Sequence, residues 1–500
     1  MKWSRINILK TFQLESVQKT TIFLAACSIF IIANLLIGYV IPIRFDFSAG
    51  KSHTLSPSTV KIIHTLDDVV TIQFFISSDI PTRLASLKND TIDLVNEYKK
   101  QGRGKIIVKI RDPKKDTNAR DDAQKVGVPE LQFSQVEKNT YAVSSTYFGI
   151  ALQYGIKQDS IPQATNISSL EYDITSSIFK LASKEPIKIG IIGIPEFASP
   201  QQDSFLTIKK ILNQQFELDF MNASDSAKTG EIDESVKAIV IFDDGNTSYD
   251  KATSDMFTTY IKNSGKIIAF VDGISVSEEQ FIPRPATHNL FSLFEEWGIK
   301  LNKNFVLSES SEMASFSNGS NIFVTPYPFW VKTSQLDKKS QEFAHMTALL
   351  FPWTASLDVL KKSGIETRSF VQSEAHSWSQ TEEGGIAPQT IKPPEKNAFA
   401  SFNLIVEARE KKGGTLLLIP SSHFLDERYI ERSPDNVGVF LNFINNYASD
   451  GALSGIRARA LSNAPLSDVS DQNKDTVKYL TIFLLPVLFG LIGAWRLMKR

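Results

Sequence analysis

Ser421, Ser422 and His423, with Asp426 three positions further on, are the residue types of a hydroxyl nucleophile, its general base and an orienting carboxylate. The chemistry they would do is hydrolysis by acyl transfer. The run around them reads Ile419-Pro420-Ser421-Ser422-His423 and lacks the G-x-S-x-G turn that exposes such a serine. Neighbours on a strand point to opposite faces, which separates Ser422 from His423 and favours a structural loop. Carboxylates form a second set. Asp243-Asp244-Gly245 and Asp272-Gly273 close two apolar runs that read as parallel strands, and open α/β sheets bind ligands at that end. The ordinary alternative is a solvated turn, as expected for Asp67-Asp68, Asp121-Asp122 and Glu295-Glu296.

Other chemistries lack their residues. A phosphate loop needs glycine five positions before a Gly-Lys pair, and Phe45, Lys99 and Tyr260 stand there instead. The single cysteine, Cys27, lies in an apolar run, so no C-x-x-C redox pair and no exposed thiol nucleophile exist. The six histidines show neither H-x₃-H nor H-E-x-x-H spacing, so no metal and no cofactor are expected. Lys and Arg total 54 against 55 Asp and Glu, a balance that argues against a nucleic-acid binder. Hydrophobic content of 42% with 22% charged residues excludes wholesale disorder.

Apolar residues concentrate at the two ends. Residues 20–40 carry no charge and reach about 30 Å as a helix, the thickness of a bilayer core. Residues 479–495 are also uncharged, and Val477 and Leu497 extend them to a full span over 477–497. Lys2, Arg5, Lys10 and Lys19 precede the first run, and Arg496, Lys499 and Arg500 end the second. The positive-inside rule then places both termini in the cytoplasm, with residues 44 to about 475 outside. Gly490 and Ala494, with Gly493, form a small-residue face for helix packing, and Asn34 in the first run seeks a partner amide or carbonyl.

Between the spans the patterning is α/β. Residues 44–165 read as β-α-β-α-β-β after a short helix opened by Ser56 and Pro57, a thioredoxin-like layout without C-x-x-C. A connecting helix occupies 166–185. Residues 186–450 read as a flavodoxin-like or glutamine-amidotransferase-like parallel sheet, with strands 187–194, 216–220, 236–242, 266–271 and 415–419 between amphipathic helices. An insertion over about 302–397 reads as irregular strands and loops. Within it Phe323 to Trp330 is either an interaction loop or a proline-broken core strand. A polar tether over 451–476 leads to the second span.

Arg44-Phe45-Asp46-Phe47-Ser48 followed by His53-Thr54-Leu55-Ser56 resembles the juxtamembrane pattern of GldG-like proteins, auxiliary subunits of ABC transporters named for gliding motility. Tyr260 to Ile268, Ser421-Ser422-His423-Phe424, Asn436 and Phe440-Leu441-Asn442-Phe443 continue the resemblance, with Ser264 and Ser421 as departures. Arg44, Asp46, Thr54, Leu55 and Ser56 are its motif positions. The resemblance implies a non-catalytic subunit of the bacterial inner membrane, partnered by an ABC permease and a cytoplasmic ABC ATPase. Its outer domains would bind a partner or cargo in motility, secretion or other transport. A membrane-anchored extracytoplasmic hydrolase and a passive envelope scaffold are the alternatives.

Overall fold

The computed structural model describes residues 25, 27–30, 32, 54–81, 84–137, 140–183, 185–199, 202–222, 232–277, 282–317, 321–343, 346–395, 398–411, 413–449, 451–453, 456 and 471–498. The chain divides into two compact units, 1–54 and 55–500. In the first, residues 25, 27–30 and 32 are helical. Most of the expected first span, with Asn34, Arg44 and Asp46, lies outside the described residues.

The second unit opens with helix α1 (Pro57–Thr65), then β1 (Val70–Ile76), α2 (Ala85–Gln101), β2 (Ile106–Arg111), α3 (Thr117–Lys125), β3 (Glu130–Glu137), β4 (Thr140–Tyr154), β5 (Lys157–Ile161) and α4 (Ile167–Ala182). The sheet order is β2-β1-β4-β3 with β5 also on β4. The β1–β2 pair is parallel and β1–β4 antiparallel. Alternation along β1 turns Ile72 and Phe74 onto one face, where they meet Val95, Tyr98, Phe148, Ile150 and Leu170 from β4 and the helices. Phe74 and Phe148 meet edge-on at 5.3 Å.

Ser56 shows how the local sequence starts this body. Its hydroxyl accepts the Thr59 N–H at 3.1 Å, and Pro57 supplies a fixed φ where no donor is needed. Its own N–H donates to Glu171 Oε1 at 2.6 Å, and the Thr59 hydroxyl donates to the same oxygen at 2.8 Å. The start of α1 is thereby tied to α4. Ser56→Ala should cost about 1 kcal/mol in a urea unfolding titration of the full chain, the usual worth of a serine N-cap.

The larger part continues with β6 (Lys188–Ile192), α5 (Leu206–Asn213), β7 (Glu217–Phe220), β8 (Val236–Asp243), α6 (Lys251–Lys262), β9 (Lys266–Val271), β10 (Ile274–Ser277), β11 (Ile282–Pro285), α7 (Phe291–Glu296), β12 (Ile299–Leu301), β13 (Phe305–Ser308), β14 (Ser311–Ser317), β15 (Ile322–Thr333), β16 (Leu349–Pro352), β17 (Leu357–Val359), β18 (Ile365–Gln372), β19 (Ser377–Gln380), β20 (Asn403–Glu410), β21 (Thr415–Ile419), α8 (Glu427–Ile430) and α9 (Pro434–Ser449). Nine strands form its main sheet in the order β12-β17-β20-β21-β9-β8-β6-β7, with β18 on β20. From β21 to β7 neighbours are parallel, as the apolar runs predict. From β20 outward they are antiparallel, an extension built by strands outside the five of the parallel reading. The physical reason is the short link between β20 and β21, which reverses the chain and cannot make a parallel crossover. Apolar side chains fill both faces of the parallel half, Val240, Phe242 and Ile268 on one and Ile239, Ile241 and Ile267 on the other. Gly193, just past β6, has φ +91°, and a Cβ there would sit 1.8 Å from the Phe242 carbonyl oxygen. Only glycine lets β6 end that close to β8.

The insertion is more regular than its composition suggests. It holds a β13–β19 pair and a β14-β15-β16 sheet around Phe305, Tyr327, Phe329, Trp353 and Trp378. Helix α10 (Asp471–Met498) runs for 28 residues and contains Pro486. It contains the expected second span and absorbs the end of the expected tether. Tyr479, Leu480, Phe483 and Phe489 on it are exposed. Among the described residues, nevertheless, no helix is long and apolar enough to cross a membrane.

Candidate functional site

Strands β8, β9 and β21 are parallel and adjacent, so their carboxyl ends share one edge of the sheet. β8 ends at Asp243, Asp272 follows β9, and Ser421-Ser422-His423 follow β21. The two sets of candidate residues therefore converge.

Asp272 is the centre of the cluster and is fully buried. Its Oδ1 accepts the Ser422 N–H at 2.6 Å and its Oδ2 the Ser422 hydroxyl at 2.8 Å. His423 Nε2 stands 4.0 Å from Oδ2. Burial raises the carboxyl to about 6, against the pull of His423 and the two Ser422 hydrogen bonds. The Asp272 N–H donates to the Asp243 carbonyl oxygen at 3.0 Å, which joins the ends of β8 and β9.

Asp243 is also buried, and its carboxyl too is raised to about 6 by burial. Its Oδ1 accepts the Gly245 N–H at 2.8 Å. Gly245 at φ +89° allows that tight return. The Tyr249 hydroxyl lies near enough for burial and the Asp243 charge to raise its own pKa, yet neither that hydroxyl nor Asp243 Oδ2 meets a partner at hydrogen-bonding geometry among the described residues. His288 places Nε2 2.9 Å from the Asp272 carbonyl oxygen and stacks on Phe291 at 4.3 Å. Burial lowers its pKa. A neutral ring facing a carbonyl donates from Nε2, which leaves Nδ1 as the unprotonated nitrogen.

The expected solvated turns are thus corrected at Asp243 and Asp272, whereas Asp67, Asp68, Asp121, Glu295 and Glu296 are exposed. The strand geometry that separated Ser422 from His423 also fails, because residues Ser422–Leu425 form a 3₁₀ turn. The order of a Ser-His-Asp triad is not formed by these residues. A triad needs the histidine between serine and carboxylate, and here the Ser422 hydroxyl proton is already committed to Asp272. The Ser421 hydroxyl donates to the Pro352 carbonyl oxygen at 2.5 Å. Asp426 caps α8 and pairs with Arg428 at 2.7 Å, and burial raises its pKa despite those contacts. The cluster ties three strand ends together. Among the described residues no group of three or more histidine, cysteine or acidic side chains is arranged to hold a metal.

The remaining candidates are scattered. Leu55 is in the core, Ser56 is the cap described above, and Thr54 is half-buried. At Gly490 and Gly493 an added Cβ would meet nothing within 4 Å, and the side chain of Ala494 lies outside the described residues. The Asp272–Ser422 link joins positions 150 apart, and no local pattern announces it.

Residues 188–428 match the family model of an ABC-type uncharacterized transport system. That span runs from β6 into α8 and holds all three strand ends. It covers a little under half of the chain. Residues 49–153 match a second model, a domain of unknown function (DUF7088). An uncharacterized protein of Borreliella burgdorferi is 23% identical over 506 residues, covering 96% of each chain. Among solved structures, the mmIFT52 N-terminal domain is 14% identical with a TM-score of 0.35, over 53% of this chain and 98% of that one. A ThuA-like protein from Bacteroides uniformis is 13% identical with a TM-score of 0.32, over 54% of this chain and 97% of that one. Neither likeness is close enough to assign a fold.

Proposed function

We propose that the chain is a non-catalytic auxiliary subunit of an ABC transporter of GldG-like type, anchored in the bacterial inner membrane with both termini cytoplasmic. Its partners are an ABC permease and a cytoplasmic ABC ATPase, and its extracytoplasmic domains bind a partner or cargo in gliding motility, secretion or other transport. The observation that carries this reading is the match of 188–428 to an ABC-type transport family. The juxtamembrane motif adds to it, as does a serine whose hydroxyl is bonded to Asp272 rather than to a histidine. Anchoring is supported by the uncharged runs 20–40 and 479–495 and by the exposed apolar side chains of α10. The domains are read as thioredoxin-like over 44–165, a connecting helix over 166–185 and flavodoxin-like or amidotransferase-like over 186–450. The polar tether over 451–476 is read as leading to the second span at 477–497.

The full chain, extracted in a mild detergent, should bring down a permease and an ATPase. Ser422→Ala and His423→Ala should recover both partners as well as the parent does, since the reading gives neither residue a catalytic task. Recovery of the chain alone, under conditions that keep a known permease–ATPase pair together, rejects the proposal.

A further inference from the structure

Strand β2 ends the five-stranded sheet on one side, and among the described residues β1 alone pairs with it. The Val70 N–H donates to the Lys105 carbonyl oxygen at 2.9 Å, and the parallel register sets Val70 beside Ile106. Bonding direction alternates along a parallel ladder, so Ile107, Lys109 and Arg111 turn their backbone groups toward β1. Val108 and Ile110 turn N–H and C=O outward, at the spacing a further strand needs. The side chains sort by face. Val108 and Ile110 stand beside Ile72 and Phe74, and Ile110 at the rim is 46% exposed. Ile107 and Lys109 stand on the opposite face beside Thr71 and Gln73, where Ile107 is 44% exposed and Lys109 is exposed as well.

Charge selects what can lie along this edge. From Lys99 to Arg111 the sequence holds Lys99, Lys100, Arg103, Lys105, Lys109 and Arg111 and no acidic residue, in a chain whose formal net charge is −1. Arg111 pairs with Asp116 at 3.0 Å and Lys100 with Glu97 at 3.3 Å, whereas Lys109 joins no ion pair among the described residues. Lysine on an edge strand ordinarily deters pairing. A second copy of this chain would set the cationic run against itself. An acidic strand is attracted, because opposite charges facing each other across two strands stabilise the pair. The outward N–H and C=O groups, which no lipid headgroup matches in register, favour a polypeptide. We propose that β2 accepts an extended segment of a partner protein as a further strand, with acidic side chains beside Lys109 alternating with apolar ones beside Ile110. This names a surface for the partner binding proposed above and rests on that reading for its role.

The test titrates the full chain, in mild detergent, with a short fluorescein-labelled peptide of alternating valine and glutamate, read by anisotropy. The peptide should bind and slow hydrogen exchange at the Val108 and Ile110 amides. Val108→Pro removes an outward donor and spares the bonds to β1, so affinity should fall on the order of ten-fold. Lys109→Glu, an exposed substitution that leaves the backbone alone, should weaken binding by a similar factor, on the order of ten-fold, and turn the preference toward a valine–lysine peptide. Equal affinity for a peptide of the same composition with its glutamates in one block overturns the proposal, in favour of a general anion such as an acidic lipid headgroup. Unchanged affinity in Lys109→Glu, or no protection of the two amides, also overturns it. Absence of peptide binding while a permease and an ATPase still co-purify rejects the docking edge alone. Peptide binding without those partners rejects the transporter reading alone.

Discussion

Asn436→Ala should lower the unfolding free energy by about 3–5 kcal/mol, among the largest losses available to a single substitution away from the apolar core. The side chain is fully buried near the start of α9 and uses its whole hydrogen-bonding capacity. Oδ1 accepts the Leu350 N–H at 3.0 Å and the Ser433 hydroxyl at 2.9 Å. Nδ2 donates to the Leu350 carbonyl at 2.7 Å and the Phe424 carbonyl at 2.9 Å. Truncation strands three buried backbone groups at once, each of which costs about 1–3 kcal/mol when left without a partner. Asp435 beside it accepts the Thr347 N–H at 2.7 Å and the Thr347 hydroxyl at 2.9 Å, so two consecutive residues clip β16 and its approach to α9. Asn436→Asp should be at least as damaging, because it turns an acceptor toward two carbonyl oxygens and buries a charge. Urea unfolding followed by pulse proteolysis of the full chain measures both. A loss under about 1 kcal/mol for Asn436→Ala would mean that water replaces the amide, and would remove the clip from the account of the fold.

How much of this was readable beforehand varies with the physics behind each element. The parallel strands at 236–242, 266–271 and 415–419 stand out because a strand buried on both faces must be apolar throughout, and all three lie within a residue of the observed limits. The antiparallel half of the sheet was hidden. β20 is buried on both faces but carries Glu407 within its apolar stretch, and β18 mixes Ile365, Phe370 and Val371 with polar residues, so neither shows a continuous apolar run, and their partner choice depends on the length of a turn. β15 was obscured by Pro326 and Pro328, which read as strand breakers. They occupy alternate positions while Tyr327, Phe329 and Val331 point into the core, a pattern a proline pair tolerates near a sheet edge. At the candidate site the strand-end rule located Asp243 and Asp272 correctly along the chain. It gave no access to the burial of Asp272, whose carboxyl is capped by Ser422 from the turn after β21, 150 residues away. Cap chemistry at Ser56 was legible because it is local. The Glu171 contact that completes it was not, being 115 residues distant.

The second large effect concerns Asp272 and has a definite sign with pH. Burial lifts its carboxyl from 3.8 to about 6 in the folded chain. The folded state therefore holds the proton more tightly than the unfolded state, and the chain takes up a proton on folding between those values. The stability this provides is fully present below about 4 and is lost as the pH rises through about 6, after which the penalty is constant. At about 1.4 kcal/mol per pH unit the displacement amounts to about 3 kcal/mol. Asp272→Asn removes the titration while keeping the shape. The amide oxygen accepts the Ser422 N–H, and the amide nitrogen donates to the Ser422 hydroxyl oxygen, whose own proton turns away. The substituted chain should match the parent near pH 4 and exceed it near pH 7, by up to about 3 kcal/mol less whatever the charge added to the two Ser422 bonds. Asp243→Asn should shift stability in the same direction, because its carboxyl too is raised to about 6 by burial. The two profiles separate desolvation from pairing. Stability of Asp272→Asn below that of the parent at pH 7, with equality at pH 4, would show that the ionised carboxylate is held by His423 and Ser422 more strongly than burial opposes it.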